Sequence, residues 1–541
     1  MMAKKYRPVE RDQAFLLPPD MREWLPAGHP VWLVITVVED HLNTSAVHTL
    51  RRCGGAGAAG YDPDMMIALL VWGYANRVTS SRRIEALCHT DIAFKVICAG
   101  HVPDHVTIAR FRAGLGTAAA ELFDQVLMLC ARLGMGTLGL VALDGTKVAA
   151  SASKSANRTE QSLRKLAARI AAEHAATDAA EDALFGPGVR GDEVPAELAD
   201  PRSRAERITA ALAGLEAERR AAEQQRDQKA QDYLAAPPGT LGAPPAGARL
   251  AAAQARAERA AAEQQALVDS WQARQAASLA AGKGRLPGCV PAPPDRSGKV
   301  ARARAAVKNA QAAGTSRKPA DRGPQRNVTD PHSRLMPVRG GGFIQGYNPQ
   351  NVVTADGLIL ATQLTADQTD VQWFEPMLAR AQNAAALVAA ARGGADDQIG
   401  LILADAGYLS DRNLQLPGPD RLIATGKRRE IDKLAAGQDR GQDMHPAGQA
   451  GFDWHSPAIA QMAARLASGE GINAYRQRGH IAETPHGNLK QNKGFRQFSV
   501  RGIPRVSAEW MLITAVTNLF KAISSGKLTA AALAGLKAPA I

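Results

Sequence analysis

The chain is short of cysteine and aromatic residues and lacks any long apolar run, and each shortage removes a class of protein. Its five cysteines, Cys53, Cys88, Cys98, Cys130 and Cys289, stand singly among 541 residues without CxxC spacing. Neither a zinc site nor a disulfide framework is indicated, and a reducing cytoplasmic setting is expected. Aromatics supply only 5% of the residues, and Ala-rich stretches inflate the apolar count, so a dense core is not expected along the whole chain. No run of about 18 apolar residues occurs, and the opening MMAKKYRPVERDQ is charged; no membrane partner is expected. The phosphate-cradling pattern GxxxxGKS or GxxxxGKT is missing too, which argues against a nucleotide cofactor.

What is present is length and positive charge. Single cores stop growing at roughly 250 to 300 residues, so two or three domains are expected. Lys and Arg number 65 against 52 Asp and Glu, a net charge of +13. Such an excess favours polyanionic partners, nucleic acid first, because neutralised phosphates release condensed counterions. A compositional bias toward Arg and Ala would account for the charge equally well.

Patterning divides the chain. Residues 1–135 read as an all-α domain: PDMMIALLVWGYANR is a buried helix, SSRRIEALCH begins with capping serines, Asp104 N-caps DHVTIARFRAG, and a helix from Thr117 to Leu133 ends at Gly134. At 136–154 the period changes to that of a buried strand, LGLVALDGTKVAA, broken or ended at Asp144-Gly145. Residues 155–325 are an Ala-, Glu-, Gln- and Arg-rich helical insertion whose stretches Arg202 to Ala236 and Arg249 to Leu279 flank the breaker PPGTLGAPPAG. An Arg- and Lys-rich loop follows (Arg317, Lys318, Arg322, Arg326, Arg334, Arg339). Over 326–525 come a hairpin around Ala355-Asp356-Gly357, a helix near Val371 to Ala390, the short strand QIGLILAD, a basic loop at Lys427, Arg428 and Arg429, and a closing helix that Ser507 can cap; 526–541 is a tail. The fold class expected is multi-domain, α plus α/β, with a mixed-sheet domain interrupted by the insertion.

Two strands end in an aspartate, VALDG at Asp144 and LILADAGY at Asp405. Carboxylates at strand ends of an α/β sheet lie where such sheets build sites, and their hard oxygens suit Mg²⁺ or Mn²⁺. Alone, each is as well read as a turn or cap residue. A third acid adds to them. In AYRQRGHIAETPHGNLKQNKGFRQFSVRG, Glu483 precedes Pro485, which predicts a helix starting there, and Lys490 lies seven residues on along the same face. Tyr475, Arg478, Lys490, Lys493, Arg496 and Arg501 supply donors for phosphate oxygens; the bland alternative is a solvated basic helix.

On these residues the chain resembles bacterial insertion-sequence DDE transposases, in the branch with a Tyr-Arg-Glu-Lys signature. The matching positions are Asp144 in LDGTK, Asp405 in ADAGY, and Tyr475, Arg478, Glu483 and Lys490, with FRQFSVRG, EWMLITAVTNLFK and DHVTIARFR as further likenesses. Four residues rather than three separate Arg478 from Glu483, Thr484 stands where Pro is common, and His486 stands where an aromatic is expected. The resemblance implies an RNase H-like catalytic domain in which Asp144, Asp405 and Glu483 are catalytic and hold two divalent ions, Mg²⁺ or Mn²⁺, for in-line cleavage and transfer of DNA strands. It further implies double-stranded DNA as partner, both terminal inverted repeats and target, contacted by Tyr475, Arg478, Lys490, Arg110 and Arg112, with a homodimer joining two ends. A non-transposing nuclease of the same fold, or a DNA-binding regulator without activity, are the competing readings.

Overall fold

The computed structural model describes residues 20–49, 60–170, 172, 204–235, 244–315 except 246 and 286, 325–394 except 339, 397–426 and 456–536. Cys53, most of the PPGTLGAPPAG breaker, Arg317, Lys318, Arg322, Arg339 and the basic loop at Lys427, Arg428 and Arg429 lie outside the described residues. The chain forms two compact units, one running to Ala156 and resuming at His332, the other spanning Asn157–Pro331.

Ten strands are described: β1 (Leu140–Gly145), β2 (Val148–Ala149), β3 (Asn157–Thr159), β4 (Gln325–Asn327), β5 (Arg334–Pro337), β6 (Phe343–Tyr347), β7 (Gln350–Thr354), β8 (Ile359–Gln363), β9 (Leu401–Ala404) and β10 (Asp420–Ile423). In the larger unit the main sheet has the order β10-β9-β1-β7-β8. β1 runs parallel to β9, and β9 to β10, whereas β7 is antiparallel to both β1 and β8. The hairpin expected at Ala355-Asp356-Gly357 is the β7–β8 turn, where Gly357 takes φ 85°. β2, β6 and β5 make a small second sheet.

Helices cover this sheet. Pro63–Ala75 is buried on nearly every side, as a helix without a polar face must be; Pro63 opens it and the Asp62 side chain accepts from Asp64 N at 2.7 Å. Asp104 caps His105–Gly114 in the same way through Val106 N and Thr107 N, both at 2.9 Å. The apolar face of Ala118–Arg132 packs on the helices Ile503–Ser524 and Phe374–Arg392. Ile503–Ser524 begins four residues before Ser507, because Pro504 sits in its first turn and favours a start there. Asn518 of that helix closes the edge strand β8, accepting from Ile359 N at 2.9 Å and donating to Ile359 O at 2.8 Å. One continuous core runs from Val31 through the sheet to Leu533, so the N-terminal helices and the sheet share their interior.

The second unit is built on length rather than bulk. Helices Arg204–Ala235, Arg249–Ala280 and Gly298–Thr315 carry mostly small or charged residues. Leu163, Ile208, Ala211 and Leu215 form its small apolar cluster. Arg249–Ala280 packs chiefly along Gly298–Thr315, a helix that the sequence did not announce because its stripe is alanine. Arg326, expected in a loop, is buried in β4 and pairs with Glu218; β4 in turn pairs with β3.

Candidate active site

Register alone sets two of the three acids side by side. Leu143 of β1 is opposite Ala404 of the parallel strand β9, so Asp144 and Asp405, one residue further on each, leave the sheet at the same end. Asp144 is 9% exposed, and its Oδ1 accepts from Gly145 N at 2.9 Å. Asp405 caps a short 3₁₀ turn, Ala406–Tyr408, through Gly407 N at 2.9 Å.

Glu483 arrives from a helix that differs from expectation. The helix spans Gly469–Gly487, capped by Ser468, so Glu483 and Pro485 lie near its end rather than its start. Pro485 costs the helix a backbone donor and crowds the carbonyl four residues back, and shortly after it the chain changes to a π-helical turn, Asn488–Asn492, that carries Lys490. This geometry puts Tyr475 and Arg478 on the same helix as Glu483. The Tyr475 hydroxyl donates to Ala404 O at 3.3 Å, which ties the helix to β9 immediately before Asp405.

Arg478 joins the acids. Its Nη1 is 3.8 Å from Asp144 Oδ2 and its Nη2 3.8 Å from Glu483 Oε1, while its guanidinium carbon lies 6.0 Å from the centre of the Tyr475 ring. Burial works against the charge, but Tyr475 and the carboxylates of Asp144, Asp405 and Glu483 outweigh it, and the pKa of Arg478 is raised. Nη1 is buried without a hydrogen-bond partner among the described residues.

Several residues of the site carried no legible signal. Asp370, just ahead of the 3₁₀ turn Val371–Trp373, accepts on Oδ1 from Asn348 Nδ2 at 2.6 Å and from Gln350 Nε2 at 2.8 Å, with Lys147 Nζ 3.8 Å away. It flanks both aspartates: a Cβ at Gly145 would meet Asp370 Oδ1 at 3.0 Å, and one at Gly407 would meet Asp405 Oδ1 at 3.0 Å and Asp370 Oδ2 at 3.5 Å. At Gly145 a Cβ would also meet Gln350 Nε2 at 2.6 Å, so a larger residue there would displace the side chains around Asp370, whereas at Gly407 it would make only tight contacts. Burial lowers the pKa of Lys147 against the opposing pull of Asp370, Asp144 and Asp405. The buried Tyr408 hydroxyl donates to Gln350 Oε1.

His486 lies 3.9 Å from Asp144 Oδ2 through Nδ1, while its Nε2 meets Asn351 Nδ2 at 3.0 Å. Burial, reinforced by Lys490 and Arg478, pushes its pKa down to about 3, so it is neutral at ordinary pH. Nothing brings Arg110 or Arg112 to this site. Arg110 is exposed on the helix His105–Gly114. Arg112, expected at DNA, is 5% exposed and donates inward to Thr79 O at 2.5 Å and Tyr74 Oη at 3.4 Å, so its charge is engaged inside the fold. An acid-rich set of hard oxygen donors beside two cations fits a divalent metal ion, which supplies the positive charge that like-charged carboxylates need to stay together.

Residues 19–114 match the family model Transposase domain (DUF772), and residues 449–523 match the Transposase DDE domain. The second match contains Tyr475, Arg478, Glu483 and Lys490. No curated protein and no solved structure matches the chain. Both matched segments are thus transposase domains, the second of the DDE class, and together they support an insertion-sequence DDE transposase, an enzyme of metal-dependent DNA strand cleavage and transfer.

Proposed function

We propose that the chain binds the terminal inverted repeats of an insertion sequence, cuts DNA there and joins the freed 3′ ends to target DNA, with Asp144, Asp405 and Glu483 as its metal ligands. The observation that carries this reading is a shared neighbourhood: adjacent strand ends supply Asp144 and Asp405, and Arg478 spans from Asp144 to Glu483. The sheet supports an RNase H-like domain. An antiparallel β8-β7-β1 meander followed by parallel β9 and β10, with the acids at the ends of the central β1 and its neighbour, is the arrangement that such a domain requires.

When bound, two Mg²⁺ or Mn²⁺ ions would activate the attacking hydroxyl and stabilise the leaving 3′-oxygen. The chain's own residues do the positioning. Tyr475 fixes the Arg478 guanidinium from below, and the buried Nη1 offers a donor to a phosphate oxygen. Lys490 adds positive charge on the turn that follows Glu483. Asn348 and Gln350 hold Asp370 so that Lys147 stays at the rim.

Residues 1–135 are read as the part that recognises DNA, with Arg110 on its exposed surface, and 136–154 with 326–525 as the catalytic domain. The 155–325 insertion is read as a solubilising spacer ahead of a brace for paired ends or a second subunit. Joining two ends in concert calls for a homodimer on DNA. Of the expected tail 526–541, Leu528 and Leu533 pack into the core. The test is Asp144→Asn with a duplex carrying the element's end. Cleavage in Mg²⁺ should disappear while binding persists; retained cleavage would overturn the assignment.

A further inference from the structure

One row of the sheet continues the site away from the metal ligands. Asp144 of β1 is opposite Asn351 of β7, and Asn351 is opposite Thr362 of β8. Directly opposed residues share a face of the sheet, so these three side chains form a line. His486 meets Asn351 and Asp144 at one end, and Trp510 of the helix Ile503–Ser524 meets Thr362 at the other.

The direction of the hydrogen bonds along this line is determined. An indole N–H can only donate, and Trp510 Nε1 lies 2.6 Å from Thr362 Oγ1. Thr362 must therefore send its own hydrogen elsewhere. Asn351 Oδ1 at 2.5 Å is much closer than the alternative, Gln350 O at 3.3 Å, and 2.5 Å is an O–H to O distance, shorter than amide N–H donors normally reach. With its oxygen accepting from Thr362, Asn351 presents its Nδ2 hydrogens to His486 Nε2 at 3.0 Å. Nε2 is then the acceptor nitrogen. In a neutral ring the hydrogen is left on Nδ1, the atom 3.9 Å from Asp144 Oδ2.

We propose that Trp510, Thr362 and Asn351 lock His486 as its Nδ1–H tautomer, making it a positioning residue whose N–H orients the Asp144 carboxylate for its metal ion. His486 touches no reacting atom. Its effect is to present a fixed N–H dipole to Oδ2 from 3.9 Å, a contact longer than a hydrogen bond, while Gly145 N holds Oδ1 at 2.9 Å, the outer-shell arrangement that biases a ligand carboxylate toward one orientation before the ion arrives. This inference rests on Asp144 being a metal ligand.

Full-length protein labelled with ¹⁵N-histidine tests it, with the His486 signals assigned by their loss in His486→Gln. The expected spectrum has a pyrrole-type Nδ1 and a pyridine-type Nε2, and Trp510→Phe should blur that preference. Titration with Mn²⁺ alone gives the second readout. His486→Phe, which keeps a ring and removes the donor, should weaken Mn²⁺ about 10- to 100-fold. His486→Asn, whose amide can return an N–H near the Nδ1 position, should recover most of it. An Nε2–H tautomer overturns the proposal, as does unchanged Mn²⁺ affinity in His486→Phe when Asp144→Asn has lost it. Undiminished Mn²⁺ binding in Asp144→Asn would instead overturn the ligand reading, and this inference with it.

Discussion

Tyr74 and Glu509 meet in the interior although 435 residues separate them, the tyrosine hydroxyl donating to Oε1 at 2.6 Å. Glu509 is 1% exposed, and its Oε2 accepts from Ser499 N at 2.9 Å. Arg112 reaches Tyr74 Oη from the helix His105–Gly114. This buried cluster ties the first helices to the stretch that follows Lys490. Removing one member of such a set strands the others. Glu509→Leu should lower the unfolding free energy by about 3 kcal/mol, and Tyr74→Phe by about 1 to 2 kcal/mol, read from urea midpoints. Equal and negligible losses in both variants would mean that the cluster does not join these segments.

Arg110 and Arg112 lie two residues apart, and only the structure separates them. A helix pattern does not separate them when both faces carry Arg, and the partners that engage Arg112, Tyr74 and Thr79, lie more than 30 residues away on other elements. Arg110→Ala should leave stability unchanged and reduce the slope of log affinity against log salt for terminal-repeat DNA by about 1, the signature of one lost phosphate contact. Arg112→Ala should lower stability and leave that slope alone. The reverse pattern would place Arg112 at the DNA.

The same distinction explains what was legible in the sequence. The strands ending in Asp144 and Asp405 announce themselves, since four consecutive apolar residues before an acid have one sensible reading. Glu483 was legible through its company, Tyr475, Arg478 and Lys490, but its place in a helix was not: Pro485 reads as a helix start and instead lies near the end of Gly469–Gly487. Asp370, Gln350 and Asn351 were hidden because they are ordinary polar residues whose meaning comes from cross-strand register. Register depends on pairing between segments about 200 residues apart, which no local pattern encodes.

Asp370 leads to a sharper expectation. Its Oδ1 is held by two amide donors, which an asparagine oxygen can also accept, so Asp370→Asn removes the charge and keeps the hydrogen bonds. Stability should change by less than about 1 kcal/mol, whereas cleavage should fall about 10- to 100-fold if the charge helps hold Lys147 and the metal ligands in place. Asp370→Ala, which strands both amides, should lose stability as well. Full cleavage by Asp370→Asn would make Asp370 a structural acid only.

Lys493 offers a prediction with a pH signature. It is 6% exposed, its ammonium lies 4.9 Å from the centre of the Phe520 ring, and burial lowers its pKa from 10.5 to about 8. Because the folded pKa is the lower one, the fold disfavours the charged form. Below about pH 8 both states are protonated and the fold carries the whole penalty, about 3 kcal/mol for a shift of this size. Between about pH 8 and 10.5 the unfolded chain binds more protons than the folded one, so stability attributable to Lys493 rises with pH, and it levels off above that window. Lys493→Met, similar in length and without charge, should therefore be more stable than the parent at pH 7, with the gain shrinking as pH climbs toward 10.5. Urea midpoints for both proteins at pH 7, 8, 9 and 10 isolate this group, since every other titration is common to the pair. A difference that stays constant across the series would mean that Lys493 keeps an ordinary pKa in the folded protein.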